Sequence, residues 1–142
     1  MVEDRITDGR RIAQLLASEL TGHEETFAAL SVVDSNPDVE PTDDGTLAYA
    51  VNAGEARVAE VYVQPDRARV EFLVSPDLTA EAASEEGLRV RPKAVRPPRT
   101  LVFVEDGAQV KWILPAFREL VAAFEADGTE DDENEMNADE VA

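Results

Sequence analysis

The sequence predicts an α+β domain, in which a five- to six-stranded, largely antiparallel sheet carries N- and C-terminal amphipathic helices on one face. Three observations predict this class. Apolar residues near both ends of the chain recur with the helical period, side chains between about residues 46 and 74 alternate apolar and polar, and short turn sequences separate the alternating runs. The prediction of an α+β domain therefore rests on the change from helical periodicity at the ends to strand alternation in the middle of the chain.

The first helix is predicted over about residues 7–21. Its apolar face is formed by Ile12, Leu15, Leu16 and Leu20. Thr7 or Asp8 can cap its start, and Gly22 stands where a helix commonly ends. A strand over residues 27–33 is expected to follow, and then a loop rich in Asp, Asn and Pro.

Three alternating runs after residue 46 predict an antiparallel meander. The residues that share one face are Leu47, Tyr49 and Val51 in the first run, Ala59, Val61 and Val63 in the second, and Val70, Phe72 and Val74 in the third. The connections between the runs are of hairpin length. The opposite face of the third strand carries Arg67, Arg69 and Glu71, so we expect that face to be mostly wet.

A short helix is predicted over residues 79–86, and a strand over 100–105. Between them, residues 88–91 are predicted to form an edge strand or an extended arm, because Pro92, Pro97 and Pro98 cannot donate to a ladder. The apolar residues from Val110 to Phe124 keep the helical period, which favours one long helix despite Pro115. The alternative is a hairpin turn at residues 106–107, a strand over 109–114 and a shorter helix that Pro115 opens.

The charge is unevenly distributed. The 142 residues include 13 basic and 31 acidic ones, for a formal net charge of −18, and residues 125–142 hold nine acids and no base. This division predicts a single domain over residues 1–126 and a disordered acidic tail over 127–142. The acid excess and the scarcity of lysine resemble the composition of cytoplasmic proteins from salt-in halophilic archaea, a resemblance that implies an environment and no activity.

Several function classes are excluded or disfavoured. The chain has no cysteine, a single histidine (His23) and only isolated glycines, so the sequence predicts no catalytic residue, no metal site and no cofactor, and hence no enzyme. The longest apolar stretches have four residues, and the N-terminus lacks the pattern of a signal peptide. We therefore expect a cytoplasmic protein that does not span a membrane.

One segment opposes the acidic composition. Residues 89–99, called the arm below, contain no acid and five of the 13 bases, which are Arg89, Arg91, Lys93, Arg96 and Arg99. These bases could pair with the surrounding acids, bind an acidic protein partner or the chain's own tail, or contact nucleic-acid phosphates. The favoured hypothesis is a non-enzymatic protein-interaction module, and the alternative is a nucleic-acid-associated protein that uses the same arm.

Trp112 lies off the apolar stripe of the predicted C-terminal helix, so it is a candidate for an interface, including one between copies of the chain. The residues of the stripe that we expect in the core are Leu114, Phe117, Val121 and Phe124.

Overall fold

The computed structural model of the chain describes residues 6–23 and 25–126. The predicted tail, residues 127–142, lies outside the described residues. The elements in chain order are α1 (Gly9–Gly22), β1 (Leu30–Val33), β2 (Thr46–Ala53), β3 (Ala56–Gln64), β4 (Arg67–Phe72), α2 (Pro76–Glu85), β5 (Arg89–Lys93), β6 (Arg99–Val104) and α3 (Gln109–Trp112). A further helix, called the C-terminal helix below, covers residues 114–126.

The six strands form one sheet in the order β1-β2-β3-β4-β6-β5, and all neighbouring strands are antiparallel. This confirms the predicted α+β class, the strand number and the three-stranded meander β2-β3-β4. β5 lies at an edge of the sheet and contains Pro92. Proline has no N–H to donate to a ladder, so edge strands, which pair on one side only, are where a sheet tolerates it.

The inner face of the sheet carries the apolar residues of the alternating strands, and the helices pack on this face. Within the register, Val61 lies opposite Val70, which lies opposite Val102, and all three are fully buried. Phe117 of the C-terminal helix packs edge-on against Phe72, with 5.0 Å between ring centroids. The outer face has no helix over it among the described elements.

Tyr49 joins α1 to the inner face of β2. Its hydroxyl donates a 2.8 Å hydrogen bond to the carbonyl of Ala13, and burial raises the pKa of this phenol above its usual value. The terminal helices therefore share one face of the sheet, as predicted.

Two predicted boundaries are displaced. β1 begins at Leu30 rather than at residue 27, because the N–H groups of Phe27 and Leu30 donate to the carbonyls of His23 and Phe27 in a turn. α2 begins at Pro76 rather than at residue 79. A proline is favoured in the first helical turn, since its missing N–H would have no partner there.

The C-terminal region matches neither predicted alternative in full: a shorter helix with Pro115 in its first turn is present over residues 114–126, but the strand over 109–114 is not. Residues 109–112 are helical, so the predicted strand is wrong, but Ile113 interrupts the helix, so one continuous helix is wrong as well. Pro115 is the physical cause, because its ring would clash with the carbonyl of Lys111 in a continuous helix. The chain makes a tight turn, in which Ala116 N–H donates to Ile113 at 3.0 Å, and then resumes the helix.

Leu114, Phe117 and Val121 are buried as expected, but Phe124 is 39% exposed and the prediction that it lies in the core is wrong. Residues 124–126 are all exposed, so the helix extends past the core on which it packs. None of the helices within residues 6–126 has the length and apolar character needed to cross a bilayer.

Candidate functional site

The arm is built from β5, the connection 94–98 and the first residue of β6. In the β5–β6 register Arg89 lies opposite Phe103, Arg91 opposite Leu101 and Lys93 opposite Arg99. Successive side chains of a strand point to opposite faces, and the buried Val102 and Val104 point to the inner face. The side chains of Arg89, Arg91, Lys93 and Arg99 therefore lie on the outer face. Four of the five predicted bases therefore share one face, and Arg96 lies in the connection.

Two glutamates lie buried on the same outer face. Glu60 of β3 is 8% exposed, Glu71 of β4 is 1% exposed, and the two are paired directly across the strands. The expectation that this side of β4 is mostly wet is therefore wrong at Glu71. Like charges directly opposite each other destabilise a sheet, so the pair needs cations close by.

Four cationic side chains surround the two carboxylates. Arg99 Nη1 donates to Glu60 Oε1 at 3.1 Å and to Glu71 Oε1 at 2.8 Å, and so bridges them. The other contacts are Lys93 Nζ to Glu71 at 3.4 Å, Arg69 Nε to Glu71 at 2.9 Å and Arg57 Nη1 to Glu60 at 3.1 Å. These six residues are called the ion-pair network below. Two of its cations, Lys93 and Arg99, belong to the arm and tie it to the sheet.

The network shifts the ionisation of its members. Burial alone would raise the pKa of Glu60, but hydrogen bonds from Tyr62 and Arg57 and the charge of Arg99 outweigh it and hold that pKa below its usual value. Burial and the hydrogen bond to Glu60 raise the pKa of Tyr62 to about 12. Burial would lower the pKa of Arg99, but its bonds to Glu71 and Glu60 prevail and raise it. Glu60 is thus kept ionised.

The remaining arm bases point to solvent. The Arg89 side chain is 68% exposed and lies 3.7 Å from Glu105. Arg91 and Arg96 are exposed, and neither forms an ion pair with any residue in the described ranges. The arm is therefore divided into two anchored bases and three displayed ones.

A pocket of about 500 Å³ opens at the base of the arm. It is lined by four cationic residues, Arg57, Lys93, Arg96 and Arg99, and by four apolar ones, Leu73, Val74, Val95 and Pro97. No acidic side chain is among these lining residues. Asp34, Glu60 and Glu71 pair with three of the four cations from outside the lining, and Arg96 has no ion pair within the described residues. The pocket therefore keeps an excess of positive charge on a strongly acidic protein.

Two aromatic rings of the outer face lie under guanidinium groups. The Arg67 guanidinium carbon is 4.2 Å from the centroid of Phe103, and that of Arg69 is 4.7 Å from the centroid of Tyr62. These rings therefore already have a cation over one face and do not offer it to a nucleic-acid base.

Trp112 lies on α3, on the helical side of the sheet, and is 39% exposed. Its neighbour Lys111 pairs with Glu19 of α1 at 3.1 Å. The structure therefore does not bring Trp112 together with the arm.

His23 lies outside this site. Its Nε2 is 2.8 Å from Glu19 Oε1, and its side chain is 51% exposed. Among the described residues, no group of three His, Asp or Glu side chains is placed to hold a metal ion.

The sequence did not single out Glu60, Glu71, Arg57 or Arg69 as parts of the site. One signal could have found the glutamates, because each stands at mid-strand on the polar face of two strands predicted to be neighbours. The cations that neutralise them come from β3, β4, β5 and β6, and this strand order is not visible in the alternation.

Comparison with known proteins gives a family and no activity. The chain matches no curated protein and no solved structure. A family model matches residues 1–134, which is nearly the whole chain. The protein therefore belongs to DUF7993, a family of unknown function.

Proposed function

We propose that this protein is a non-enzymatic, cytoplasmic interaction module whose arm binds an acidic segment of a protein partner. The observation that carries the proposal is the display of Arg89, Arg91 and Arg96 on an arm that Lys93 and Arg99 tie to the buried Glu71. An anchored arm loses little conformational freedom on binding, so its arginines are preorganised for a ligand.

The charge around the arm favours an anionic ligand. Arg57, Arg69, Lys93 and Arg99 share three carboxylates, those of Asp34, Glu60 and Glu71. Arg96 lies beside them and has no ion pair within the described residues. Together these residues keep two positive charges, and Arg91 adds a third. Guanidinium groups bind carboxylates through two parallel hydrogen bonds, which makes an acidic peptide a well-matched ligand.

Nucleic acid is the alternative ligand for the same arginines. The phosphate backbone would pair with them, but the net charge of −18 opposes its approach. The rings of Phe103 and Tyr62 are covered by guanidinium groups and so do not favour base stacking. The net charge opposes an acidic protein segment as well, so it is the covered rings that favour the protein partner over RNA or DNA.

The chain's own tail is a competing ligand in this proposal. Residues 127–142 carry eight of the nine C-terminal acids, and the same chemistry that binds an acidic partner would bind them. We expect the tail to lower the apparent affinity of the arm for a partner, because a linked ligand competes at a high effective concentration.

A binding experiment separates these ligands. Fluorescent poly-glutamate, single-stranded RNA and duplex DNA are titrated into the full chain and into a variant whose acids from Asp127 onward are changed to Asn or Gln. We expect poly-glutamate to bind, the tail variant to bind it more tightly, and both to lose affinity as KCl is raised. Tighter binding of RNA or DNA than of poly-glutamate would favour the alternative.

A matched pair of double variants tests whether the arm itself binds. Arg91→Gln/Arg96→Gln removes two displayed arm charges, and Arg11→Gln/Arg118→Gln removes two exposed charges elsewhere. We expect the arm variant to bind poly-glutamate at least about tenfold more weakly, since each lost contact is charge-assisted. Equal losses in the two variants would show that only net charge matters and would reject the arm.

A further inference from the structure

We propose that the pocket at the base of the arm is a subsite for one carboxylate that is followed or preceded by an aliphatic side chain. This inference rests on the proposed function and adds the chemistry that the partner must carry at its anchor point. The observation behind it is a pocket lined by four cationic residues and by four apolar ones, which are called the aliphatic wall below.

The cations of this pocket are held in place before a ligand arrives. Arg99 reaches both buried glutamates through the same nitrogen, Nη1, and Arg57 reaches Glu60 and Asp34. A guanidinium carries five N–H donors, more than these contacts use. Arg96 adds a cation that has no ion pair with the described residues. The pocket thus combines fixed donors with one cation that has no ion-pair partner in the described part of the chain.

The aliphatic wall favours a carboxylate that has an aliphatic neighbour over a phosphodiester. Val95 is 40% exposed beside Arg96, and Leu73, Val74 and Pro97 continue the apolar lining. A ligand that covers this wall gains free energy in proportion to the apolar area it removes from water. A Leu, Ile or Val next to Asp or Glu supplies such a surface, whereas a phosphodiester does not.

A second pocket provides an internal comparison. It lies between α2 and β5 and has a volume of about 470 Å³. It also contains Lys93 and Arg99, but Asp77 contributes an acidic group to its lining. Asp77 would repel an incoming carboxylate, so the pocket that contains Arg96 is the better anion site.

The test uses the full chain with its tail acids neutralised as above and three short fluorescent peptides. The first alternates Glu and Leu, the second alternates Glu and Ser, and the third alternates Gln and Leu. We expect the Glu-Leu peptide to bind most tightly, the Glu-Ser peptide several-fold more weakly, and the Gln-Leu peptide not measurably. Arg96→Gln should weaken the Glu-Leu peptide about tenfold.

Val95→Ser tests the aliphatic wall, and Leu78→Ser on α2 is its control, because Leu78 is equally exposed at 40%. We expect Val95→Ser to remove the preference for Glu-Leu over Glu-Ser and Leu78→Ser to leave it unchanged. Amide NMR spectra verify that both variants keep the native fold.

The failures of the two proposals are distinguishable. If Glu-Ser and Glu-Leu bind equally, or if both serine variants behave alike, the subsite is wrong while binding by the arm stands. If neither acidic peptide binds the full chain, the proposed function fails and the subsite fails with it.

Discussion

At the scale of single residues, Glu71 is the least expected feature of the molecule. A carboxylate that is 1% exposed pays a large desolvation cost, which is offset only if cations and donors surround it. Arg69, Lys93 and Arg99 supply them, all within 3.4 Å. Removing the charge therefore leaves three cations without their shared partner.

We predict that Glu71→Gln lowers the free energy of unfolding by about 2 kcal/mol, because glutamine keeps the shape and loses the charge-assisted hydrogen bonds. Urea unfolding followed by circular dichroism measures this. Glu105→Gln is the control on the same face, where the carboxylate is 32% exposed and pairs with Arg67 at 3.5 Å. Its loss should stay below about 1 kcal/mol. Similar losses in both variants would contradict a special role for the buried pair.

The sequence could not identify this residue as buried. Glu71 is one of 31 acids, and a carboxylate at mid-strand normally faces water. Glu71 is buried because Lys93 and Arg99, which belong to strands far along the chain, pack against it in the folded sheet. The five arm bases, by contrast, were visible as a local excess of positive charge, although the division into anchored and displayed bases was not.

At the scale of elements, α1 starts against the turn between β3 and β4. Gly9 N–H donates to the carbonyl of Pro65 at 3.2 Å, and a Cβ at Gly9 would lie 1.9 Å from the carbonyl oxygen of Gln64. The helix approaches these backbone atoms so closely that only glycine fits here, because neither the helix nor the turn could move away without disturbing its own backbone.

We predict that Gly9→Ala destabilises the protein by about 1–3 kcal/mol, the usual range for overpacking. Gly22→Ala, at the other end of the same helix, is the control, because a Cβ there meets nothing within 4 Å. That change should be neutral or stabilising by up to about 1 kcal/mol, since alanine favours a helix over glycine. Thermal unfolding of the two variants measures the contrast, and a stabilised Gly9→Ala would contradict the observed packing.

Hydrophobic periodicity predicted those helices and strands whose apolar residues all lie on one face. The meander and the first helix follow from alternation and from a single apolar face, and the sheet confirms both. The prediction failed at Ile113, where the apolar pattern continues through a break that Pro115 imposes on the backbone. It also failed at β1, because the turn after His23 is made by backbone hydrogen bonds that side-chain patterns do not report.

At the scale of the whole molecule, the net charge of −18 opposes the compact state. Salt shortens the Debye length from about 10 Å at 0.1 M to about 3 Å at 1 M, so it screens repulsion between exposed acids. The same salt weakens the ion-pair network less, because Glu60 and Glu71 are buried.

We therefore predict that the melting temperature rises by several degrees when KCl is raised from about 0.1 M to about 1 M. Differential scanning calorimetry measures it. The variant with neutralised tail acids should show a smaller rise, since it has less repulsion to screen. A melting temperature that falls with salt would mean that screened ion pairs, and not repulsion, dominate.

The strand order has a consequence for the nascent chain. β5 precedes β6 along the chain, yet β6 is the strand with which it pairs in the described sheet. During synthesis, residues 89–93 thus leave the ribosome before β6, and until β6 follows, their backbone groups have no strand to pair with. Three positive charges and Pro92 make this segment a poor template for another chain, because edge strands of that kind resist aggregation. Arg89 and Arg91, which we propose bind a partner in the mature protein, are therefore also expected to disfavour pairing of the unfinished chain with another copy.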